Sequence, residues 1–128
     1  MKTGSWATYR GPGRIGISAG TPRGQPAGYR LYRTLAPDRA WMHRPIDTYR
    51  PLYEAILNRL DPQQVWDALH KLAGEDEAGQ QIEPVILCFE KPPFTEVNFC
   101  HRRMAADWFE KNLGVIVPEV SFEQPGLI

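Results

Sequence analysis

The sequence predicts a small α/β domain of Rossmann-like, three-layer type, with a short, mainly parallel sheet and helices on both faces. Three observations support this fold class. An unbroken apolar segment at 85–89 is typical of a strand buried on both sides. Apolar residues at helical spacing precede it, and a strand–helix–strand order over 84–120 follows it. The 128 residues fit a single domain, 1–128, around one core.

The N-terminal third contains two predicted strands separated by loops. Residues 1–13 are rich in glycine, proline and aromatic residues, which favours a loop. Alternating isoleucines predict a strand over 14–18, and the glycine- and proline-rich segment 19–28 predicts another loop. A second strand is predicted over 29–35, ended by Pro37.

Two helices are predicted in the middle of the chain. The first begins at Asp47 or Thr48, either of which is a suitable N-cap. The second begins at Asp61 with Pro62 in the first helical position, and Gly74 ends it.

The C-terminal third is predicted to contain a buried strand, a helix and a short last strand. The strand spans 84–90 and ends in a carboxylate, Glu90. The helix runs from about 100 to 113 and stops at Gly114, and the last strand covers 115–120.

The composition of the chain predicts its cellular location. No apolar run approaches the roughly 20 residues of a membrane span, and the N-terminus lacks the apolar stretch of a secretory signal. The two cysteines do not resemble a disulfide framework, so we expect free thiols, a reducing compartment and a cytoplasmic location. No membrane partner is expected, and the oligomeric state is left open.

Charge is divided unevenly along the chain, although the net charge is zero. Residues 1–50 carry nine basic and two acidic side chains, whereas the remaining 78 residues carry six basic and thirteen acidic ones. Eight of the nine N-terminal cations are arginine, which suits a phosphate-rich partner such as a nucleotide or nucleic acid. Alternatively, these arginines pair internally with the acidic half. Zero net charge argues against a strong, non-specific polyanion binder.

Four polar residues are predicted to meet at one strand–helix junction. Glu90 ends the buried strand, and Cys100, His101 and Arg102 begin the next helix. Ligands of open α/β sheets bind beyond the carboxyl ends of the strands, and helix N-termini favour anions. We therefore expect the candidate site at this junction.

Each of these four residues has a functional and a structural interpretation. Cys100 is a nucleophile or a small buried residue, and His101 is a general acid or base or an oriented structural histidine. Arg102 holds a phosphate or carboxylate, or forms a buried ion pair with Glu90. Glu90 itself is a base, a nucleophile or a ligand for a ribose hydroxyl. Cys88 is expected in the core.

Several familiar patterns are excluded by their context. The G-x-G-x-x-G match at 11–16 lacks the strand before it and the helix after it that a dinucleotide fingerprint requires. A phosphatase or rhodanese loop needs an arginine where Ala106 stands. The spacing of Cys88, Cys100 and His101 matches no common zinc site. We therefore predict neither a metal nor a cofactor.

The strand with LCFEK, the segment CHRRMAADWF and the valine-rich strand after it resemble the C-terminal core of a bacterial and phage family, domain of unknown function 488. The resemblance covers about 84–120 and implies no activity. A looser resemblance extends towards the N-terminus: RIGIS, which ends in Ser18, is similar to the family's first strand, Arg23 to its early arginine, and the segment around Tyr49 to its tyrosine-containing helix start. The resemblance implies ligand-binding roles for these three residues. The chain departs from the family in its longer linker KPPFTEVNF and its shorter middle region.

The first function hypothesis is a site that binds or acts on a nucleotide, nucleoside or nucleic acid. Arg102 and the helix N-terminus would hold a phosphate, with Arg23 as a second clamp. Glu90 and His101 would transfer protons, or Cys100 would act as nucleophile.

The second hypothesis is a non-enzymatic, phage-encoded module that interacts with protein or DNA. Its contact surface would be aromatic residues beside arginines, namely Trp6, Tyr9, Trp41 and Tyr49. In this case the pair Glu90–Arg102 would be structural.

Overall fold

A computed structural model describes residues 1–120 and confirms a small α/β fold with an all-parallel, four-stranded sheet. In chain order the elements are β1 (Lys2–Ser5), β2 (Arg14–Gly16), β3 (Arg30–Leu31), a 3-10 turn (Arg33–Leu35), α1 (Ile46–Asn58), α2 (Pro62–Ala73), β4 (Val85–Cys88) and α3 (His101–Leu113). The strand order across the sheet is β1-β4-β2-β3.

Strand β4 occupies the centre of the sheet and pairs on both sides. Ile86 lies opposite Thr3 of β1 and Ile15 of β2. A parallel bridge joins Thr3 to Glu119, so the chain that follows α3 runs along the outer side of β1. The predicted last strand, 115–120, is thus reduced to a single bridge.

The three helices contribute to one hydrophobic cluster, which includes Ile15, Ile17 and Ile86. The cluster on the opposite face contains Val85, Leu87 and Val120 together with Trp6, and no residue of α1, α2 or α3. Among residues 1–120 the helices therefore lie on one face, rather than on both as expected. The connection from β1 to β2 is too short for a crossover helix, since such connections need about a dozen residues or more.

Trp6 covers the second face because β2 has no side chain at Gly16. The indole ring lies directly over Gly16, where an added Cβ would collide with it. A glycine at this strand position therefore permits close approach of a bulky residue.

Two predicted boundaries differ from the structure. Strand β1 lies in the segment 1–13 that was expected to be loop for its glycine, proline and aromatic residues, yet Thr3 and Ser5 are fully buried. The predicted strand 29–35 pairs only over Arg30–Leu31 and then turns, so that Leu35 enters the core. A strand whose buried side chains are polar and bond to residues distant in the chain has no apolar pattern, so the sequence does not reveal it.

The helices agree more closely with their sequence signals. Asp61 Oδ1 accepts bonds from the backbone N–H groups of Gln63 and Gln64, as expected for the α2 N-cap. Gly114 ends α3 in the left-handed conformation with φ of 66°. Helix α1 begins earlier than expected, at Ile46, without a side-chain cap.

No helix within residues 1–120 has the length and apolar character needed to cross a membrane.

Candidate functional site

A cavity of about 380 Å³ opens at the carboxyl edge of the sheet, where the chain leaves β2 and β4. It is lined by Ser18, Ala19, Gly20, Pro37, Arg39, Met42, His43, Tyr49, Cys88, Phe89, Glu90 and His101. Four of the predicted site residues, Ser18, Tyr49, Glu90 and His101, are therefore brought together.

The cavity lies at a reversal in the strand order. After β2 the chain proceeds to β3 on one side, whereas after β4 it proceeds through α3 to the bridge beyond β1 on the other. The segments that follow β2 and β4 diverge and leave a crevice between them. Ligands of open α/β sheets bind at such switch points.

Ser18 and its neighbours shape one wall of the cavity. The Ser18 hydroxyl accepts a bond of 3.1 Å from Trp6 Nε1 and donates one of 2.6 Å to the carbonyl of Gly20. Arg33 and Arg39 both donate to the carbonyl of Ala19, at 3.0 and 2.8 Å. These side chains fix the loop that begins at Ser18.

Internal pairing of the N-terminal arginines with the acidic half is not observed in the described part of the chain. None of the eight arginines in residues 1–50 forms an ion pair within residues 1–120. Those with a fixed partner donate to backbone carbonyls instead, as Arg14 does to Pro26 and Ala27. Arg14 is buried, whereas exposed members of the set such as Arg39 carry a charge that no carboxylate within residues 1–120 pairs with.

His101 has one ring nitrogen committed and one open. Nε2 lies 2.8 Å from the carbonyl of Ile17, and because a carbonyl only accepts, Nε2 carries the proton. Burial lowers the His101 pKa, the bond to Ile17 opposes this and the nearby charge of Arg102 adds to it, so that the pKa is about 4. His101 is thus neutral at pH 7, with an unprotonated Nδ1 that lies 4.0 Å from Cys100 Sγ.

Tyr49 is buried beside the cavity with an unused hydroxyl. Its ring packs against Trp41, Tyr53 and Phe99, and only 3% of the residue is exposed. Tyr53 donates its hydroxyl to the carbonyl of Leu35 at 2.7 Å, whereas the Tyr49 hydroxyl makes no hydrogen bond within residues 1–120. Burial raises the pKa of Tyr49, so the hydroxyl stays protonated.

Glu90 follows β4 by two residues and is half-buried at the cavity. Burial raises its pKa, although a bond from its own backbone N–H and the charges of Arg102 and His43 act in the opposite direction. Its carboxylate makes no bond to another side chain in the part of the molecule described.

The predicted ion pair between Glu90 and Arg102 is wrong, because Arg102 pairs with Glu119. Arg102 Nε and Nη2 bind the two carboxylate oxygens of Glu119 at 2.9 Å each, and Nη1 lies 3.0 Å from Cys88 Sγ. Thr3 also donates to Glu119 Oε1 at 2.6 Å. Arg102 is fully buried and does not line the cavity, so a ligand there does not reach its guanidinium.

Sequence reasoning missed Glu119, although a signal was present. Glu119 lies in the apolar segment VIVPEV, and a carboxylate carried into a core needs a cation or hydrogen-bond donors. Burial by itself would raise its pKa, but the bonds and charge of Arg102 and the bond from Thr3 hold that pKa below its ordinary value. Glu119 is therefore ionised at neutral pH.

Cys88 and Cys100 are joined by a disulfide, so the expectation of free thiols is wrong. In this state Cys100 has no thiolate with which to act as a nucleophile. The two sulfurs and a His101 ring nitrogen lie within 4.8 Å of one another. However, the sulfurs are bonded to each other and the Arg102 cation faces Cys88, and both features disfavour a metal ion.

Two other predicted features lie elsewhere. Arg23 is exposed and does not line the cavity. The aromatic contact surface of the interaction-module hypothesis is not formed, because Trp6 and Tyr49 are 2% and 3% exposed. Tyr9 and Trp41 are half-buried.

Comparison with family models, curated proteins and solved structures finds no match for this chain. The resemblance to domain of unknown function 488 and the Rossmann-like assignment therefore stay predictions. The side chains that line the cavity indicate which ligands it can bind.

Proposed function

We propose that the cavity binds a small phosphate-bearing ligand with hydroxyl groups, of which a nucleoside monophosphate is the model compound. One observation carries the proposal: Tyr49, Glu90 and His101 converge on the cavity, each with hydrogen-bonding capacity that no group in residues 1–120 uses fully. Polar groups that line a cavity and keep open hydrogen-bonding positions can bond to a ligand there. A ligand that donates to Glu90 and His101 Nδ1, and accepts from Tyr49, supplies them.

The phosphate would bind at the cavity mouth rather than at Arg102. Arg39 and His43 are exposed and line the cavity. Arg39 uses Nη2 to hold the carbonyl of Ala19, and its other N–H groups make no bond within the described chain. A guanidinium with open donors is well suited to bind phosphate oxygens.

The size of the cavity also fits this ligand class. Small-molecule sites usually enclose a few hundred Å³ or more, lined by apolar groups with a few directed polar ones. Here the apolar part comes from Pro37, Met42 and Phe89. Within the same proposal, Glu90 is the candidate for proton transfer, because its raised pKa brings it closer to neutral pH.

Titration calorimetry with adenosine 5′-monophosphate, adenosine and inorganic phosphate tests the proposal. We expect the monophosphate to bind most tightly, because it alone of the three compounds has both a phosphate for the cavity mouth and hydroxyl groups for the cavity interior. Arg39→Ala should weaken its binding about tenfold, the value of one charge-assisted hydrogen bond. Arg23→Ala is the matched control, an exposed arginine of the same half of the chain that lies outside the cavity lining.

Two results would remove the proposal: no binding of any of the three compounds to the wild type, or an equal loss in Arg39→Ala and Arg23→Ala. A nucleic acid partner and a cytoplasmic location stay predictions. A short single-stranded oligonucleotide in the same titration tests the first of them.

A further inference from the structure

The Cys88–Cys100 disulfide closes the loop that carries Glu90. It joins the last residue of β4 to the residue before α3, twelve positions apart. One of its sulfur-bearing residues, Cys88, lines the cavity, whereas Cys100 does not. The bond therefore lies at the wall of the candidate site, where Cys88 forms part of the lining although only 1% of the residue is exposed.

The groups around the two sulfurs suit the reduced pair better than the disulfide. Arg102 Nη1 lies 3.0 Å from Cys88 Sγ, and a disulfide sulfur is a weak acceptor while a thiolate is a strong one. His101 Nδ1 lies 4.0 Å from Cys100 Sγ and, in the disulfide, has no donor there. A Cys100 thiol would supply that donor.

We propose that Cys88 and Cys100 are a redox-active pair that exchanges with a small thiol entering the cavity, and that Cys88 is the sulfur attacked. A guanidinium that stabilises the Cys88 thiolate favours the reduced form, and disulfides with a stabilised reduced form are readily reduced. The inference does not depend on nucleotide binding, since it uses only the two sulfurs and their neighbours.

The exchange proceeds in two balanced steps. The thiolate of the entering small thiol attacks Cys88 Sγ, the Cys88–Cys100 bond breaks, and its electron pair leaves on Cys100 Sγ, which takes up the proton that the entering thiol released. A second thiol loses its proton to solvent, attacks the sulfur of the first on the mixed disulfide and releases Cys88 as a thiolate beside Arg102. In total, one protein disulfide and two thiols give the Cys100 thiol, the Cys88 thiolate, one proton and one small disulfide.

Substitution of one cysteine at a time tests which sulfur the cavity exposes. Cys100→Ser retains Cys88 alone, and Cys88→Ser retains Cys100 alone. With oxidised glutathione as the probe, intact-mass spectrometry measures addition of one glutathione to each folded protein. We expect Cys100→Ser to react about tenfold faster or more, since its remaining cysteine, Cys88, lines the cavity and its thiolate is stabilised by Arg102.

The wild-type protein provides an independent measurement that does not rely on the variants. Treated with reduced glutathione under native conditions, it should gain two groups that alkylate with iodoacetamide, while its circular dichroism remains that of the folded protein. Three results would overturn the proposal: a disulfide that opens only in urea, equal or faster reaction of Cys88→Ser, or two thiols holding a zinc ion in protein purified without reductant.

Discussion

His101 and Arg102 are neighbours at the start of α3, yet they belong to two regions that differ in whether their polar groups are fully hydrogen-bonded within the protein. The Arg102 cluster, comprising Thr3, Arg102, Arg103 and Glu119, is closed by its own bonds: Arg103 Nη1 donates to Thr3 Oγ1 and to the carbonyl of Val117, both at 2.8 Å. The cavity cluster, comprising Tyr49, Glu90 and His101, retains open donors and acceptors.

The difference shows that burial alone does not distinguish a structural polar residue from a binding one. Arg102 and His101 are both almost completely buried. What separates them is whether their polar atoms are satisfied within the chain. Substitution of a side chain whose polar atoms are bonded within the protein leaves its partner unpaired and should lower the free energy of unfolding. Substitution of a side chain with unbonded polar atoms should instead weaken ligand binding.

The largest expected effect comes from Glu119→Gln, which leaves the Arg102 cation buried without its counter-charge. Breaking a buried ion pair from one side costs about 3–5 kcal/mol. Urea unfolding followed by circular dichroism measures this loss. Glu90→Gln is the matched control, since Glu90 is half-buried and unpaired with Arg102, and we expect its stability to stay within about 0.5 kcal/mol of wild type.

This pair of variants also distinguishes the two assignments for Arg102. If Glu90→Gln were as destabilising as Glu119→Gln, or if Glu119→Gln left the urea midpoint unchanged, the Arg102 cluster would not be the structural region.

A smaller effect is expected from acidification through His101. Burial depresses its folded pKa to about 4 from 6.5, so the unfolded chain binds the extra proton first as the pH falls. The His101 contribution is complete above pH 6.5 and is lost as the pH falls towards 4, by about 3 kcal/mol in total. The lowered pKa of Glu119 adds a loss at still lower pH, whereas the raised pKa of Glu90 acts in the opposite sense.

Urea midpoints at pH 7, 5.5 and 4 measure this dependence. His101→Gln, whose amide can still donate to Ile17, should lose most of the slope between pH 6.5 and 4, while substitution of the exposed His43 by Gln should retain it. An unchanged slope in His101→Gln would show that the imidazole is not the buried neutral group described above.

The smallest expected change in stability comes from substitution of two stacked tyrosines, Tyr49 and Tyr53. Tyr53→Phe removes a buried hydroxyl bonded to Leu35 and should cost about 1 kcal/mol, whereas Tyr49→Phe removes an unpaired hydroxyl and should change stability by less than about 0.5 kcal/mol. In the calorimetric titration the order should reverse, with Tyr49→Phe weakening monophosphate binding and Tyr53→Phe leaving it unchanged. Equal behaviour of the two variants in both measurements would remove the distinction between the regions.

Local sequence signals identified much of the fold. Helix α2 follows from Asp61, Pro62 and Gly74, because caps and breakers act over a few residues. The buried strand at 85–88 follows from its apolar run, although Phe89 is 49% exposed beyond its end. Strand β1 could not be found in this way, since its buried Thr3 owes its place to Glu119 at the other end of the chain.

The candidate site was predicted in part. His101 and Glu90 line one cavity at the junction of β4 and α3, because strand ends and helix starts meet at the same edge of a parallel sheet, and their role there stays a prediction. Arg39 and His43 were missed, since they lie in an irregular segment whose position depends on packing rather than on periodicity.

The sequence by itself determined that the fold is α/β, that a strand–helix junction carries Glu90 and His101, and that arginine is concentrated in the first 50 residues. Only the tertiary structure decided which carboxylate Arg102 binds, that Cys88 reaches Cys100, and which polar atoms stay open. The physical reason is the range of the interactions. Caps, turns and apolar periodicity act between near neighbours, whereas ion pairs, disulfides and cavities arise where distant segments meet, and their partners are not marked by local pattern.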